Sequence, residues 1–197
     1  MGAKLSIIWK YFFILALVFL TIGIVYHLHS TAVEKEKLHN KAIEKLTTLA
    51  FSTSVALTES DLSAGTNTSS FTAQEKPDSF QEIDNKIGEV LQKYPEYQYD
   101  EISVLGRRNN NIFLLYSTNQ PFNPSQRIAN YQEINQVFLQ GTLQTKTDYL
   151  EGGVSLYSAF APVLDKTGQV IAISRVDVKK EDIYTEQASF FGGLILI

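Results

Sequence analysis

From Tyr11 to Tyr26 the chain carries no charge, and with Ile7, Ile8 and Trp9 the apolar run reaches about 20 residues. A helix rising about 1.5 Å per residue needs roughly that number to cross about 30 Å of hydrocarbon. Trp9, Lys10 and Tyr11 suit one interface, with Lys10 close enough to the boundary to snorkel. Lys4 and Lys10 are the only charges before or within the run, so the N-terminus is expected in the cytoplasm and the remainder outside. Cleavage at Ser30-Thr31-Ala32 is the rival reading. The apolar run exceeds the usual 7–15-residue core of a signal peptide, and helix-forming sequence follows it, so an uncleaved membrane helix is expected.

The far end is apolar again from Phe190 to Ile197. Eight helical residues cover only about 12 Å, which suggests the start of a second transmembrane helix. The expected organisation is a cytoplasmic tail (1–6), a transmembrane helix (7–28), a stalk helix (29–60), a folded domain (61–187) and that second span (188–197).

Between the ends, Thr31 to Thr58 contains neither Pro nor Gly. Its first half, around Glu34-Lys35-Glu36-Lys37, is charged all round; its second half sets Ala42, Ile43, Leu46, Leu49, Ala50, Thr53 and Leu57 in one stripe. A single long helix is expected. Leu62 to Asp78 is loop-like, Phe80 to Tyr94 is a second helix ended by Pro95, and Tyr131 to Leu139 is a short helix stopping near Gly141. Asp100–Gly106 and Ile112–Ser117 read as strands, Pro121–Ser125 as a loop, and Thr145–Gly153 as a loop before the final hairpin. That order predicts an α+β domain: a long helix, then an antiparallel sheet with flanking helices.

The final hairpin is the sharpest local signal. Leu156–Leu164 and Gln169–Val178 are rich in apolar residues and flank Asp165-Lys166-Thr167-Gly168, a turn with Asp first and Gly in the left-handed position. Placing Asp165 opposite Gln169 and counting back pairs Asp177 with Tyr157 and Arg175 with Ala159. Ile173 then faces Ala161 and Ile171 faces Val163. One face would then combine an acid, a base and a phenol. The opposite face would carry Phe160, Pro162, Ala172, Ser174 and Val176.

The elements Ser158-Ala159-Phe160-Ala161-Pro162, Asp165 to Gly168 and Val176-Asp177-Val178 together resemble the characteristic segment of Cache domains, the PAS-like extracytoplasmic sensors of bacterial receptors. Asp61-Leu62, Arg107-Arg108 and Phe138-x-x-Gly141 extend the resemblance over roughly residues 49–182. It implies a PAS-like sheet hung on a long helix, a ligand-sensing function without catalysis, and a parallel homodimer through the long helix. It also implies a pocket role for Asp177. The Arg-x-Trp-Tyr motif of amino-acid-binding members is absent.

The expected ligand is a small polar molecule, carboxylate-bearing, held by Tyr149 and Tyr157 as walls, Arg175 as charged anchor and Asp177 as second polar contact. An internal Arg175–Asp177 ion pair is the plain alternative. No cofactor or metal is expected. There is no cysteine, and the histidines (His27, His29, His39) lie at the membrane exit or on the stalk. Seventeen basic against 21 acidic residues disfavour nucleic acid as a partner. No nucleophile–base motif suggests an enzyme. A membrane-tethered scaffold with no small-molecule ligand stays open.

Overall fold

The computed structural model describes residues 2–66, 80–108, 111–119, 127–129 and 131–183. The expected second span (188–197) and the loop at 121–125 lie outside these residues, as does most of the 62–78 loop. The chain divides into two units, Met1–Asn40 and Lys41–Ile197.

Every described residue of the first unit is helical, within α1 (Gly2–Ala56). Large apolar side chains from Trp9 to Leu28 are exposed, and α1 is the one helix among the described residues long and apolar enough to cross a membrane.

In the second unit the later turns of α1 bury Leu46, Leu49, Ala50, Thr53 and Ser54, with Leu57 just beyond its end. The helix stops two residues before its expected limit. The Thr58 N–H, which would extend the α1 ladder, donates instead to Asp61 Oδ2 at 2.6 Å, and the Thr58 hydroxyl joins the same oxygen at 2.7 Å. This cap, in which both bonds run from Thr58 to the Asp61 carboxylate, starts α2 (Glu59–Thr66), a helix the polar composition concealed. Lys86 of α3 (Gln81–Lys93) closes on both Asp61 oxygens at 2.8 and 2.7 Å. Burial opposes the charge on Asp61, but its bonds from Lys86 and Thr58 outweigh it and hold the carboxyl below its usual range.

The sheet is antiparallel, six-stranded, in the order β3-β2-β1-β6-β5-β4. The strands are β1 (Glu101–Arg108), β2 (Asn111–Ser117), β3 (Arg127–Ile128), β4 (Gln144–Glu151), β5 (Val154–Leu164) and β6 (Val170–Lys179). The segment expected as a loop, Thr145–Gly153, is therefore an edge strand and its turn. Its sequence, QTKTDYLE, lacks a clean alternation. It also breaks register between Lys146 and Tyr149, where Asp148 takes φ 55°. α4 (Gln132–Gln140) precedes it and ends at Gly141, whose φ of 65° suits a glycine after a helix.

The hairpin corrects the expected register. The turn forms as read: Asp165 N–H donates to Gln169 O at 2.9 Å, and Gly168 has φ 85°. Leu164 pairs with Val170, but Val163 pairs with Ala172, so Ile171 is an extra residue on β6. Beyond that bulge every pair is displaced by one. Asp177 lies opposite Ser158 and Arg175 opposite Phe160. Because side chains alternate between faces, Tyr157 moves to the other side of the sheet, and Phe160 and Pro162 join the Arg175 side.

One face then presents Glu101 and Ser103 of β1 beside Asp177 and Arg175 of β6, with Ser158 and Phe160 of β5 beyond. α4 lies on this side: Glu133 pairs with Lys146 at 3.0 Å, and the Tyr131 and Tyr149 rings meet edge to face. The other face is apolar, with Ile102, Val104, Ala159, Ala161, Ala172 and Val176 fully buried. α3 lies against it through Phe80 and through Asp84, which accepts from the Tyr116 hydroxyl.

Candidate functional site

Arg175 and Asp177 sit two residues apart on β6, so the pleat puts both on the same face, and both are almost wholly buried. Arg175 Nε donates to Asp177 Oδ1 at 2.9 Å and Nη2 approaches Oδ2 at 2.7 Å, a side-on fork. Glu151, at the tip of the β4–β5 hairpin, takes the outer side of the guanidinium. Its Oε2 pairs with Nη2, and its Oε1 stands at 3.4 Å from Nη1. The Tyr149 hydroxyl accepts from Nη2 at 3.1 Å and lies 2.6 Å from Ser158 Oγ, which in turn donates to Asp177 Oδ1.

Of the four residues expected from the sequence, Tyr149, Arg175 and Asp177 meet here. Tyr157 does not; it is buried on the opposite face. Glu151 and Ser158 are members that the sequence reading missed. Ser158 was hidden by the bulge at Ile171, and Glu151 by the reading of its strand as a loop. The Gly152-Gly153 pair immediately after it was the available signal for a tight hairpin.

The cluster opens on a cleft of about 330 Å3 lined by Glu101, Ser103, Ser117, Glu151, Arg175, Asp177 and Lys179, among others. Glu101 accepts from Ser117 Oγ at 2.6 Å, and Lys179 pairs with Asp100 at 2.9 Å. Carboxylates therefore outnumber cations around the opening. The internal Arg175–Asp177 pair is real, and it does not stand alone: a second carboxylate completes the guanidinium's surroundings.

Burial pushes the Asp177 carboxyl up to about 6, against the pull of Arg175 and Ser158. Burial also works against the Arg175 charge, but Asp177, Tyr149 and Glu151 more than compensate and keep it protonated. A carboxyl raised in the fold stabilises the fold fully below its unfolded value of 3.8, and that contribution is lost as pH rises through about 6. Relative to Asp177→Asn, which keeps the shape without the titration, the native chain is therefore expected to lose stability between those pH values. Arg175, Glu101, Glu151, Ser158 and Tyr149 are unchanged in the variant. Urea titrations of both proteins at pH 4 and pH 7 measure the difference; parallel behaviour would show that Asp177 does not titrate there.

No family model matches the chain, and no curated protein matches it. The solved structures similar to it include sensory domains. One is the periplasmic sensory domain of the Campylobacter jejuni chemoreceptor Tlp1, at 15% identity and TM-score 0.45, covering 80% of this chain and 59% of that one. Another is the ligand-binding domain of the Pseudomonas aeruginosa amino acid chemoreceptor PctC in complex with GABA, at 13% identity and TM-score 0.44, covering 80% and 60%. A third is the GAF domain of a Bacillus halodurans two-component sensor histidine kinase, at 14% identity and TM-score 0.36, covering 48% and 74%. The chain spans about 60% of the length of the two chemoreceptor domains.

Proposed function

We propose that residues 29–187 form the extracytoplasmic input domain of a membrane-anchored receptor. It binds a small polar molecule in the β1–β6 cleft and passes a conformational change along β6 towards a second membrane helix at 188–197. The observation that carries this reading is the placement of the ion cluster. Buried charge is costly, and apolar residues of similar volume often serve stability as well or better. Here an acid and a base are buried on β6, the last of the described strands, and they open on a cleft of small-molecule size. A shift of β6 on binding is the kind of small displacement that a two-state pair of membrane helices can amplify.

A parallel homodimer through the long helix belongs to this proposal, on a side of α1 other than its buried apolar stripe. Leu46, Leu49 and Thr53 are buried within their own domain. Lys41, Glu44, Thr48, Phe51 and Val55 follow alternating three- and four-residue spacing on the opposite side of α1, with Phe51 and Val55 exposed. Anchoring both copies in one membrane would raise their effective concentration along parallel helices.

The test is a thermal-shift screen of small carboxylates, amines and zwitterions against the full chain in detergent micelles. At least one compound is expected to raise the melting temperature, with affinity reduced about tenfold or more (roughly 1.4 kcal/mol) by Arg175→Lys or Asp177→Asn. A hit indifferent to both variants would place the site elsewhere. A fusion reporter finding residues 41–183 in the cytoplasm would remove the receptor reading altogether.

A further inference from the structure

Arg175 makes two unequal forks. The inner one, to Asp177, is short on both arms, and both residues have side chains almost closed to solvent, at 5% and 3% exposure. The outer one, to Glu151, is lopsided: one close contact at Nη2 and a 3.4 Å contact at Nη1, beyond the usual hydrogen-bond range. Among the described residues Nη1, with two N–H donors, has no other hydrogen-bond partner, so the guanidinium of Arg175, which lines the cleft, has under-used donor capacity. Glu151 is also the exposed member of the cluster, its side chain 29% accessible.

The chain that carries Glu151 lies beyond a break in its hairpin. It ends an edge strand and is followed at once by Gly152 and Gly153, with φ of 60° and 85°. Four residues earlier the β4–β5 register breaks between Lys146 and Tyr149, so the tip from Tyr149 to Leu156 pairs separately from the rest of the hairpin. Within the tip the pairs are Tyr149–Leu156, Leu150–Ser155 and Glu151–Val154, while Leu156 also pairs with Lys179 of β6 and the Tyr149 hydroxyl bonds to Ser158 and Arg175.

We infer that Glu151 is an internal stand-in for a ligand carboxylate: an anionic group enters the cleft by replacing Glu151 on the outer fork of Arg175, and the displaced β4–β5 tip is released. The inference rests on the cleft being the ligand site and specifies the chemistry that site takes. It revises the expectation of Arg175 as a simple charged anchor. Arg175 is already satisfied on one side, and what a ligand gains is the difference between its own fork and the imperfect one made by Glu151. Asp177 stays in place and keeps the guanidinium oriented throughout the exchange. The displaced Glu151 adds a second negative group at the mouth beside Glu101, so a ligand that also carries an amine is favoured over a simple anion.

Acetate is the probe, because it supplies the departing carboxylate and nothing else. Glu151→Ala should fold, since Arg175 keeps its fork to Asp177. In the full chain in detergent micelles, at ionic strength held with sodium chloride, acetate is expected to raise the melting temperature of this variant. The rise should follow the logarithm of concentration above an onset on the order of a few millimolar. Glu151→Gln, with a weaker neutral acceptor, should respond in the same way at higher acetate. The native protein and Glu101→Gln, which removes a carboxylate from the same cleft without opening Arg175, should show no rise. Line broadening of carbon-13 acetate should appear with Glu151→Ala and vanish when Arg175→Lys is added. No response in either Glu151 variant, or an equal response in Glu101→Gln, overturns the inference. A metabolite screen that yields no ligand overturns the sensor reading even where acetate binds Glu151→Ala, and the exchange falls with it; ligands indifferent to Arg175 overturn the exchange and leave the sensor.

Discussion

Arg175→Ala is expected to cost the fold about 3–5 kcal/mol, enough to unfold a domain of ordinary marginal stability under mild conditions. The loss comes less from the vanished attraction than from what remains. Asp177 would be left buried with only the Ser158 hydroxyl, and Glu151 and Tyr149 would lose their common donor. Arg175→Lys should fall between, because an ammonium keeps the charge but cannot bridge two carboxylates as a planar fork does. The double change Arg175→Ala with Asp177→Ala should cost less than the sum of the two single changes, as expected for residues that share one network. Urea denaturation of the full chain in micelles, followed by the near-ultraviolet circular dichroism of its tyrosines, gives all four values. Strict additivity would mean that the two side chains do not depend on each other, and the account of the cluster would fail.

The second large effect lies on α1. Leu49 is 1% exposed, and Leu49→Ala should destabilise the domain by about 2–5 kcal/mol, the removed methyl groups and the cavity both counting. Phe51, two residues away and 56% exposed, should tolerate alanine within about 0.5 kcal/mol in the monomer. The pair separates the two uses of one helix. If a second copy covers α1, cysteine at Val55 should crosslink between subunits in membranes, and cysteine at Leu46 should not. Crosslinking at Leu46 with none at Val55 would put the seam on the apolar stripe and contradict the burial of Leu46 within its own domain.

The elements that local chemistry governs were legible in the sequence. α3 and α4 fall within a residue or two of the spans read from their apolar spacing, and α4 ends at Gly141, where its stop was expected. The turn from Asp165 to Gly168 forms because the Asp165 carboxylate collects the Thr167 and Gln169 N–H groups at 2.8 and 2.9 Å, a contact between neighbours in the chain. The short helix α2 was legible in principle from Thr58-x-x-Asp61, yet without the partner Lys86 that motif is weak among polar residues.

Register is a different matter. Whether Asp177 faces Tyr157 or Ser158 depends on one extra residue, Ile171, and nothing within two residues of it announces a bulge. The sheet decides it, because β6 must pair with β1 on one side and β5 on the other while its apolar residues reach the helix side. β4 was lost for a related reason: an edge strand pairs on one side and needs no alternating pattern, so its polar sequence reads as loop. By itself, then, the sequence determined the apolar span, the helices other than α2, the hairpin turn and the placing of an acid and a base on one strand. Only the tertiary structure decided that Glu151 closes on Arg175 from 24 positions away, since a contact between distant residues depends on where the strands stack and not on any pattern along the chain.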